Sequence, residues 1–276
     1  MAKAQLGWVG ASAPPREVAR VADRIRLRAV RMVAPHGLGY LGQALSSAEL
    51  FAALYTGRFQ PDRDELVVSP GHYMIAAFAA AAEAGLLDES ELATYGFEDS
   101  SLEAIGTERS PAVDLVSGSL GQGLSGAIGL ALSRRLRGVT HGSMFAIVSD
   151  GELEEGQVWE AAMFAGHHRL DNLVVLLDAN NSQVDGPVSS ITTLEPIAAK
   201  WESFGWAAFD VNGHDTGELA VALDTAQAAD RPAVVIGRTS TTHGLSVLPP
   251  DADGHFIKLP AELAAAARAE IEARLA

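Results

Sequence analysis

The stretch MFAIVSDGE at residues 144–152 says most about the fold of this 276-residue chain. Its first five residues are apolar and predict a buried β-strand, and Asp150 follows that strand after one serine. A second apolar run at 173–177 is followed by Asn180 and Asn181. One helix-length segment separates the two runs, so the pattern predicts a strand–helix–strand unit with parallel strands.

Asp150 and Asn180 are therefore expected at the same edge of the sheet, where the carboxyl ends of parallel strands form the usual ligand crevice. A carboxylate and a neutral amide oxygen suit Mg²⁺, which takes few protein ligands and completes its octahedron with phosphate oxygens and water. The residues alone predict a metal-bound diphosphate. Each also has a simpler explanation, because an aspartate can cap a helix and an asparagine pair can form a turn.

The composition narrows the class of protein. Apolar residues make up 48% of the chain, enough for a sizeable core, and the formal net charge is −15. This acidic balance argues against binding to nucleic acid or to an anionic membrane surface. The absence of cysteine rules out disulfides and thiol chemistry. Without a span of ~20 apolar residues or an apolar signal core, the sequence predicts a soluble cytoplasmic protein.

The alternation of strand and helix patterns predicts an α/β fold, with a parallel sheet covered by helices on both faces. Residues 1–15 are predicted to be an irregular N-terminal arm, and residues 16–276 a single domain, because no linker-like stretch divides them. Strands are predicted at 66–69, 144–148, 173–177, 206–211 and 233–236. Helices are predicted at 16–33, 73–84, 121–136, 157–168, 194–204, 216–228 and 260–276. A further helix is expected to open at Ser46, where Ser46 and Glu49 fit a capping box.

Glycines mark the segment that starts at Gly118. Gly123, Gly126 and Gly129 recur every three residues and predict a helix face on which another backbone comes close. The G-x-x-G-x-G spacing at 118–123, with no strand expected directly before it, argues against a nicotinamide-binding Rossmann fold.

Together these segments resemble the N-terminal, thiamine-diphosphate-binding part of transketolases, which split transketolases encode as a separate subunit. The resemblance covers roughly residues 16–258. It is carried by GSLGQG at 118–123, DGELEEGQVWEAA at 150–162, DNL at 171–173, VDG at 184–186, Trp201, GW at 205–206 and GHD at 213–215. The resemblance implies a thiamine-diphosphate-binding fold of the diphosphate-binding type, with thiamine diphosphate and Mg²⁺ as cofactors.

The resemblance also implies roles for particular residues. Asp150, Asn180 and the backbone carbonyl of Ser182 match the Mg²⁺ ligands. Leu120 matches the residue that packs on the cofactor rings, and Gly151 matches the place where the backbone approaches the diphosphate. The full set of expected cofactor contacts is Gly118, Ser119, Leu120, Gly121, Asp150, Gly151, Glu152, Asn180 and His72.

Three residues are expected to take part in catalysis. His72 matches a histidine beside the cofactor, although it can also be read as an ordinary loop histidine. His255 matches a late histidine near the diphosphate and the substrate. Glu155 matches an acid that reaches across the subunit interface, whereas Glu152 and Glu154 would normally belong to a solvated face. His214 and His243 are expected to be structural.

Two departures from the family pattern concern the substrate. Tyr40 stands where the family's first loop has a histidine, and residues 105–109 lack the histidine that precedes the cofactor segment. In transketolases both histidines face the sugar, and a phenol does not exchange protons near neutral pH as an imidazole does. Cofactor binding is therefore expected, the usual sugar substrate stays open, and Tyr40 is either a substrate contact or a hydrophobic plug.

The resemblance implies that a second domain binds the aminopyrimidine and supplies a catalytic glutamate, which is not Glu155. No second α/β unit is found in this sequence. The expected partner is a C-terminal transketolase-like subunit that carries the pyrimidine-binding domain, in a heterotetramer with two copies of each subunit (α₂β₂).

The leading functional hypothesis is a component of a transketolase-type enzyme that transfers a two-carbon ketol unit. Three alternatives stay open: the same chemistry on a non-standard donor or acceptor in specialised biosynthesis, a 2-oxo acid decarboxylase-type subunit, and a non-catalytic binding or regulatory subunit. The segments GSLGQG and QVWE favour transketolase over decarboxylation. The intact Asp150, Gly151 and Asn180 argue against a non-catalytic role.

Overall fold

The computed structural model describes residues 12–249, 252 and 254–276. Most of the predicted N-terminal arm, residues 1–11, lies outside this part of the chain. Residues 12–14 form no helix or strand, and the first helix begins at Pro15, one residue before the predicted start.

A six-stranded parallel sheet forms the centre of the molecule, as the sequence predicts. Its strands lie in the order β3-β2-β4-β5-β7-β6. They are β2 (Glu65–Pro70), β3 (Leu115–Ser117), β4 (Met144–Ser149), β5 (Leu173–Ala179), β6 (Ala207–Asn212) and β7 (Ala233–Arg238). Two further short strands, β1 (Leu38–Gly39) and β8 (Ile257–Lys258), pair antiparallel outside this sheet.

Helices cover both faces of the sheet. They are α1 (Pro15–Val33), α2 (Leu41–Ala53), α3 (Met74–Glu83), α4 (Gln122–Leu136), α5 (Gly156–His167), α6 (Val188–Ile191), α7 (Ile197–Ser203), α8 (Thr216–Gln227) and α9 (Ala261–Leu275). Alternate strand residues face opposite sides. Val68 and Ile147 therefore pack with α1, α2, α3, α8 and α9 in one core, while Val67 and Ala146 pack with α4, α5 and α7 in the other.

The predicted capping box at Ser46 is wrong. Helix α2 begins five residues earlier, at Leu41, and all thirteen of its residues are buried. The side chain of Ser46 donates to Asp178, and that of Glu49 pairs with Arg26, so neither satisfies a helix end. The helix is buried on every side, so its polar residues face other parts of the protein and no solvent-exposed side marks its limits in the sequence.

The prediction that another backbone comes close to the glycines of α4 is confirmed at Gly123 and wrong at Gly126 and Gly129. Gly123 lies so close to β2 that an added Cβ would be 2.5 Å from the Cα of Ser69. A Cβ at Gly126 would instead meet a side chain, and one at Gly129 would meet nothing within 4 Å.

The prediction that no strand comes directly before Gly118 is wrong, since β3 ends at Ser117. This strand was missed because it has only three residues and lies at the sheet edge.

Among the residues described, no helix combines the length and the apolar character needed to cross a membrane.

Candidate functional site

The predicted metal pair lies at one edge of the sheet. Strands β4 and β5 are neighbours, and their ends deliver Asp150 and Asn180 to the same side. Both side chains are buried. Asp150 Oδ2 accepts a hydrogen bond from the backbone N–H of Asn181 at 2.6 Å, and Oδ1 accepts one from Gly151 at 2.9 Å. The carboxylate therefore joins the two loops that follow the strands.

Hydrogen bonds set the orientation of the Asn180 amide. Its Nδ2 donates to the hydroxyl oxygen of Tyr73 and to Oδ2 of Asp178, each at 2.9 Å. Its Oδ1 accepts from the backbone N–H of Ser182 at 2.9 Å and keeps a second lone pair. The nitrogen thus faces the protein interior, and the oxygen faces the loop that contains the third predicted ligand.

Asp178 is the site residue that the sequence analysis missed. It is fully buried, two residues before Asn180. Its Oδ2 accepts from Ser46 Oγ at 2.5 Å and from the Tyr73 hydroxyl at 2.8 Å, and its Oδ1 accepts from Thr239. Burial raises the pKa of this carboxyl despite those hydrogen bonds. A single acid at the end of the apolar run LVVLLDA was the available signal.

The donor set fits a divalent cation. Burial, and then the negative charge of Asp178, raise the pKa of Asp150 to about 7. The ionised form of Asp150 is therefore unfavourable in this environment, and a bound cation would stabilise it. A carboxylate beside an amide oxygen is the ligand chemistry of Mg²⁺. A Cβ on Gly151 would meet only Gln183, at 3.4 Å, so nothing in the chain requires glycine there. The space above Gly151 is available to a ligand.

The cofactor loop, residues 118–121, contacts the segment that follows Asp150, because the N–H of Gly121 donates to Glu152. Gly118, Ser119 and Leu120 are exposed, and Leu120 keeps 37% of its surface accessible. Gly121 is buried and adopts a left-handed conformation with φ of 82°. A Cβ there would lie 2.8 Å from the Cβ of Glu155, so glycine is required for the turn into α4. The loop therefore exposes an apolar side chain one residue before its contact with the segment that follows Asp150.

Glu152 does not lie on the solvated face expected from its neighbours. It is fully buried, whereas Glu154 and Glu155 are exposed. Its Oε1 accepts from Ser69 Oγ at 2.6 Å and from the Gly121 N–H at 2.8 Å. Burial raises its pKa to about 7. Glu152 therefore fixes the cofactor loop through the N–H of Gly121. Because this contact joins distant segments, no local sequence pattern predicts it.

The predicted histidines meet in an aromatic cluster formed by Tyr40, His72, His255 and Phe256. The ring centroids of His72 and His255 are 5.1 Å apart, and Tyr40 lies 5.2 Å from His72 and 5.9 Å from His255. Burial, and then the neighbouring His255, lower the pKa of His72 to about 3. His72 is therefore neutral at physiological pH, which suits hydrogen bonding rather than delivery of a positive charge.

Ile105 is the first residue of the region, residues 105–109, in which the second family histidine is missing. It keeps 44% of its surface exposed. Its Cγ2 is so close to Gly71 that an added Cβ there would lie 3.0 Å away, and one at Gly118 would lie 3.8 Å away. The side chain therefore lies between the His72 segment and the cofactor loop.

A second cluster contains Glu49, His214 and His243, whose ligand atoms lie within 4.8 Å of one another. The backbone N–H of Ser240 donates to His214 Nε2 at 2.9 Å, which leaves the ring proton on Nδ1, 3.1 Å from Glu49 Oε2. Arg26 donates to the same oxygen at 2.5 Å. A cation here would displace the Nδ1 proton and face a guanidinium, so hydrogen bonding explains the cluster.

Comparisons with known proteins identify the family of the chain. Residues 18–272 match the family described as transketolase, thiamine diphosphate binding domain. A transketolase family protein of Sinorhizobium fredii is 39% identical over 259 residues, which are 90% of this chain and 92% of that protein. The 6-deoxy-6-sulfo-D-fructose transketolase subunit of a Clostridium species is 36% identical over 261 residues, 91% of this chain and 94% of that subunit.

A solved structure supports the fold. Transketolase of Campylobacter jejuni superposes with a TM-score of 0.86 at 24% identity. The match covers 94% of this chain and 43% of the other, so the chain spans less than half the length of that protein. The sequence and structure comparisons together confirm the resemblance and the fold class predicted from the sequence.

Proposed function

Because the chain belongs to the family of transketolase thiamine diphosphate binding domains, we propose that it binds thiamine diphosphate and Mg²⁺ at the ends of β4 and β5 and serves ketol transfer. The observation that carries this proposal is the arrangement of Asp150 and Asn180 on adjacent strand ends, with the amide oxygen of Asn180 turned away from Asp178. Asp150, Asn180 and the carbonyl of Ser182 would hold the metal.

The remaining residues would position the cofactor and the substrate. When bound, thiamine diphosphate supplies the nucleophilic carbon for two-carbon transfer from a ketose to an aldehyde. Leu120 offers an apolar surface for the rings, and Gly151 leaves room for the diphosphate. Glu152 acts indirectly, by fixing the cofactor loop. His72 and His255 would offer neutral ring nitrogens to hydroxyl groups of the sugar.

A partner subunit is part of the proposal. The relative in Clostridium is named a transketolase subunit, and this chain matches 94% of its length. We propose that a C-terminal transketolase-like subunit supplies the pyrimidine-binding domain and the catalytic glutamate, in an α₂β₂ assembly. Glu155 is exposed beside the cofactor loop, where a partner could reach it.

Calorimetry with thiamine diphosphate and MgCl₂, with and without the partner, tests the metal assignment. Asp150→Asn should abolish Mg²⁺-dependent binding while circular dichroism stays unchanged. Asp171→Asn is a matched control, because Asp171 is an exposed acid at the opposite end of β5, paired with Arg135 at 2.8 Å. Normal cofactor binding by Asp150→Asn would refute the assignment. Absence of binding by the wild-type pair would favour a non-catalytic subunit.

A non-standard donor or acceptor is the second candidate. The observation that favours it is the cluster itself, since the Tyr40 ring occupies space against both His72 and His255, and Ile105 is apolar. The reconstituted pair should be assayed with ketose phosphates, ketoses of other charge and 2-oxo acids. Turnover of xylulose 5-phosphate as fast as in a full-length transketolase would exclude altered specificity. Release of CO₂ from pyruvate would favour the decarboxylase alternative.

A further inference from the structure

Tyr73 is a buried residue of the candidate metal site to which the proposed function gives no role. It is the last residue of the turn Gly71–Tyr73, which leads into α3, and 1% of its surface is exposed. Its hydroxyl oxygen lies 2.9 Å from Nδ2 of Asn180, although 107 residues separate the two in sequence. No local sequence pattern predicts a contact over this separation.

The turn that carries Tyr73 is held on two sides. The N–H of Gly106 donates to the carbonyl oxygen of Gly71 at 3.0 Å. A Cβ on Gly71 would lie 2.9 Å from the carbonyl oxygen of Ser117, the last residue of β3. The phenol of Tyr73 therefore extends from a backbone with little freedom, which a side chain needs if it is to position another.

The hydroxyl of Tyr73 joins two other buried side chains. It donates to Oδ2 of Asp178 at 2.8 Å and accepts from Nδ2 of Asn180. An amide NH₂ group only donates, so the phenol must be the acceptor in that contact, and its single hydrogen is left for Asp178. Donation to the carboxyl group of Asp178 also polarises the hydroxyl, which makes its oxygen a better acceptor for Asn180.

Two short contacts account for both hydrogens of the Asn180 amide. The acceptors are Oδ2 of Asp178 and the Tyr73 oxygen, each 2.9 Å from Nδ2. A third neighbour, Ser46 Oγ, is farther from Nδ2, at 3.3 Å. Because both hydrogens are engaged on the inner side, the amide plane cannot turn without breaking a short hydrogen bond. Its Oδ1 is thereby kept on the side of Ser182, whose N–H it accepts.

We propose that Tyr73 is a positioning residue for the metal, which fixes the Asn180 amide so that its oxygen faces the position of the divalent cation. An amide that turned freely would present its oxygen to the cation for only part of the time. Partners of this kind around a metal ligand typically change the affinity for the metal 10–100-fold. The role towards the cation rests on the proposed function, whereas the fixed orientation of the amide does not.

Three substitutions separate this role from the general effect of removing a buried hydroxyl. Tyr73→Phe removes both hydrogen bonds of the phenol. Ser46→Ala is the matched control, because Ser46 also donates to Oδ2 of Asp178, at 2.5 Å, but lies farther from the Asn180 amide. Tyr55→Phe is a second control, because the Tyr55 hydroxyl is also buried and has no hydrogen-bond partner.

Nitrogen-15 NMR of the metal-free subunit reports on the amide directly, with the side-chain NH₂ signals of Asn180 identified by their loss in Asn180→Asp. A hydrogen-bonded amide hydrogen resonates downfield of a free one. In Tyr73→Phe one of the two NH₂ hydrogens should therefore move upfield, by more than in Ser46→Ala, while Tyr55→Phe should leave both in place. Unchanged NH₂ signals in Tyr73→Phe would overturn the inference.

Calorimetry of the reconstituted pair with thiamine diphosphate and MgCl₂ measures the consequence for the metal. Tyr73→Phe should weaken Mg²⁺ binding about tenfold, Ser46→Ala should weaken it less, and Tyr55→Phe should not change it. Equal weakening by Tyr73→Phe and Ser46→Ala would show that the effect passes through Asp178 and would overturn the role of Tyr73, as would wild-type affinity in Tyr73→Phe. A wild-type pair that binds no Mg²⁺ would refute the proposed function, and the NH₂ signals would then still decide whether Tyr73 fixes the amide.

Discussion

Replacement of Asp178 separates the two roles that the structure gives this residue. Three donors converge on its Oδ2, from Ser46, Tyr73 and Asn180. Asp178→Asn can keep an oxygen at that position and place its NH₂ group against the Thr239 hydroxyl, which can rotate to accept. The variant also removes the cost of burying a charge, which raises the pKa of Asp178 in the wild-type chain. We therefore expect no loss of stability without metal.

Asp178→Ala should behave differently, because it removes the acceptor. Four donors lose this acceptor, and two of them, on Ser46 and Asn180, have other acceptors among the described residues. Each buried donor left unpaired costs about 1–3 kcal/mol, so the hydroxyl groups of Tyr73 and Thr239 predict a loss of at least about 2 kcal/mol in the free energy of unfolding. Both variants should weaken metal binding. In Asp178→Asn the negative charge behind Asn180 is lost, and changes of this kind around a metal ligand typically cost 10–100-fold in affinity.

Urea denaturation of the metal-free subunit and calorimetric titration with Mg²⁺ in the presence of thiamine diphosphate measure the two effects. Asp171→Asn serves again as the control and should change neither. Wild-type stability in Asp178→Ala would show that the hydrogen bonds to this carboxylate are not stabilising. Wild-type Mg²⁺ affinity in Asp178→Asn would show that Asp178 does not support Asn180 as a ligand.

Three further predictions concern packing, pH and the cofactor loop. Gly123→Ala places a methyl group against the backbone of Ser69 and should lower the free energy of unfolding by about 1–3 kcal/mol in urea, while Gly129→Ala, which meets open space, should not. Because the pKa of His72 is lowered from 6.5 to about 3, this histidine becomes protonated at a lower pH in the folded chain than in the unfolded chain. The contribution of His72 to stability should therefore be complete above pH 6.5 and fall by up to about 1.4 kcal/mol per pH unit as the pH drops towards 3. His72→Phe should lose this part of the slope in denaturation series, while the part that comes from His243, whose pKa is lowered to about 4, remains. Glu152→Leu leaves the loop N–H unpaired and should speed amide hydrogen exchange at 118–121 by about tenfold or more; unchanged exchange would contradict its role.

The sequence carried enough information to place Asp150 and Asn180 at the same edge of the sheet. Asp150 and Asn180 each follow an apolar strand, and the edge at which parallel strands end is a local consequence of chain direction. The predicted limit of β5 was too short, because the strand continues through Asp178 to Ala179, past the apolar residues that predict it. That extension explains why a buried acid in the strand was not recognised as part of the site.

Other features depended on contacts between distant segments. Asp178 is satisfied by Ser46 and Thr239, which lie 132 residues before and 61 residues after it. Glu152 is buried and accepts a hydrogen bond from Ser69, which lies 83 residues before it. No local sequence pattern predicts the environment of Asp178 or of Glu152. The predicted start of α2 was wrong for a related reason. A helix that is buried on all sides lacks the alternation of buried and solvent-exposed faces by which a helix is recognised in a sequence.

The most direct test of the central claim is a crystal structure of the reconstituted pair with thiamine diphosphate and Mn²⁺ in place of Mg²⁺, with the metal located by anomalous scattering. We predict one peak about 2.1 Å from Asp150 and Asn180 side-chain oxygens and from the Ser182 carbonyl, with diphosphate oxygens completing the octahedron. A peak that contacts neither Asp150 nor Asn180, with the diphosphate bound elsewhere, would contradict the account.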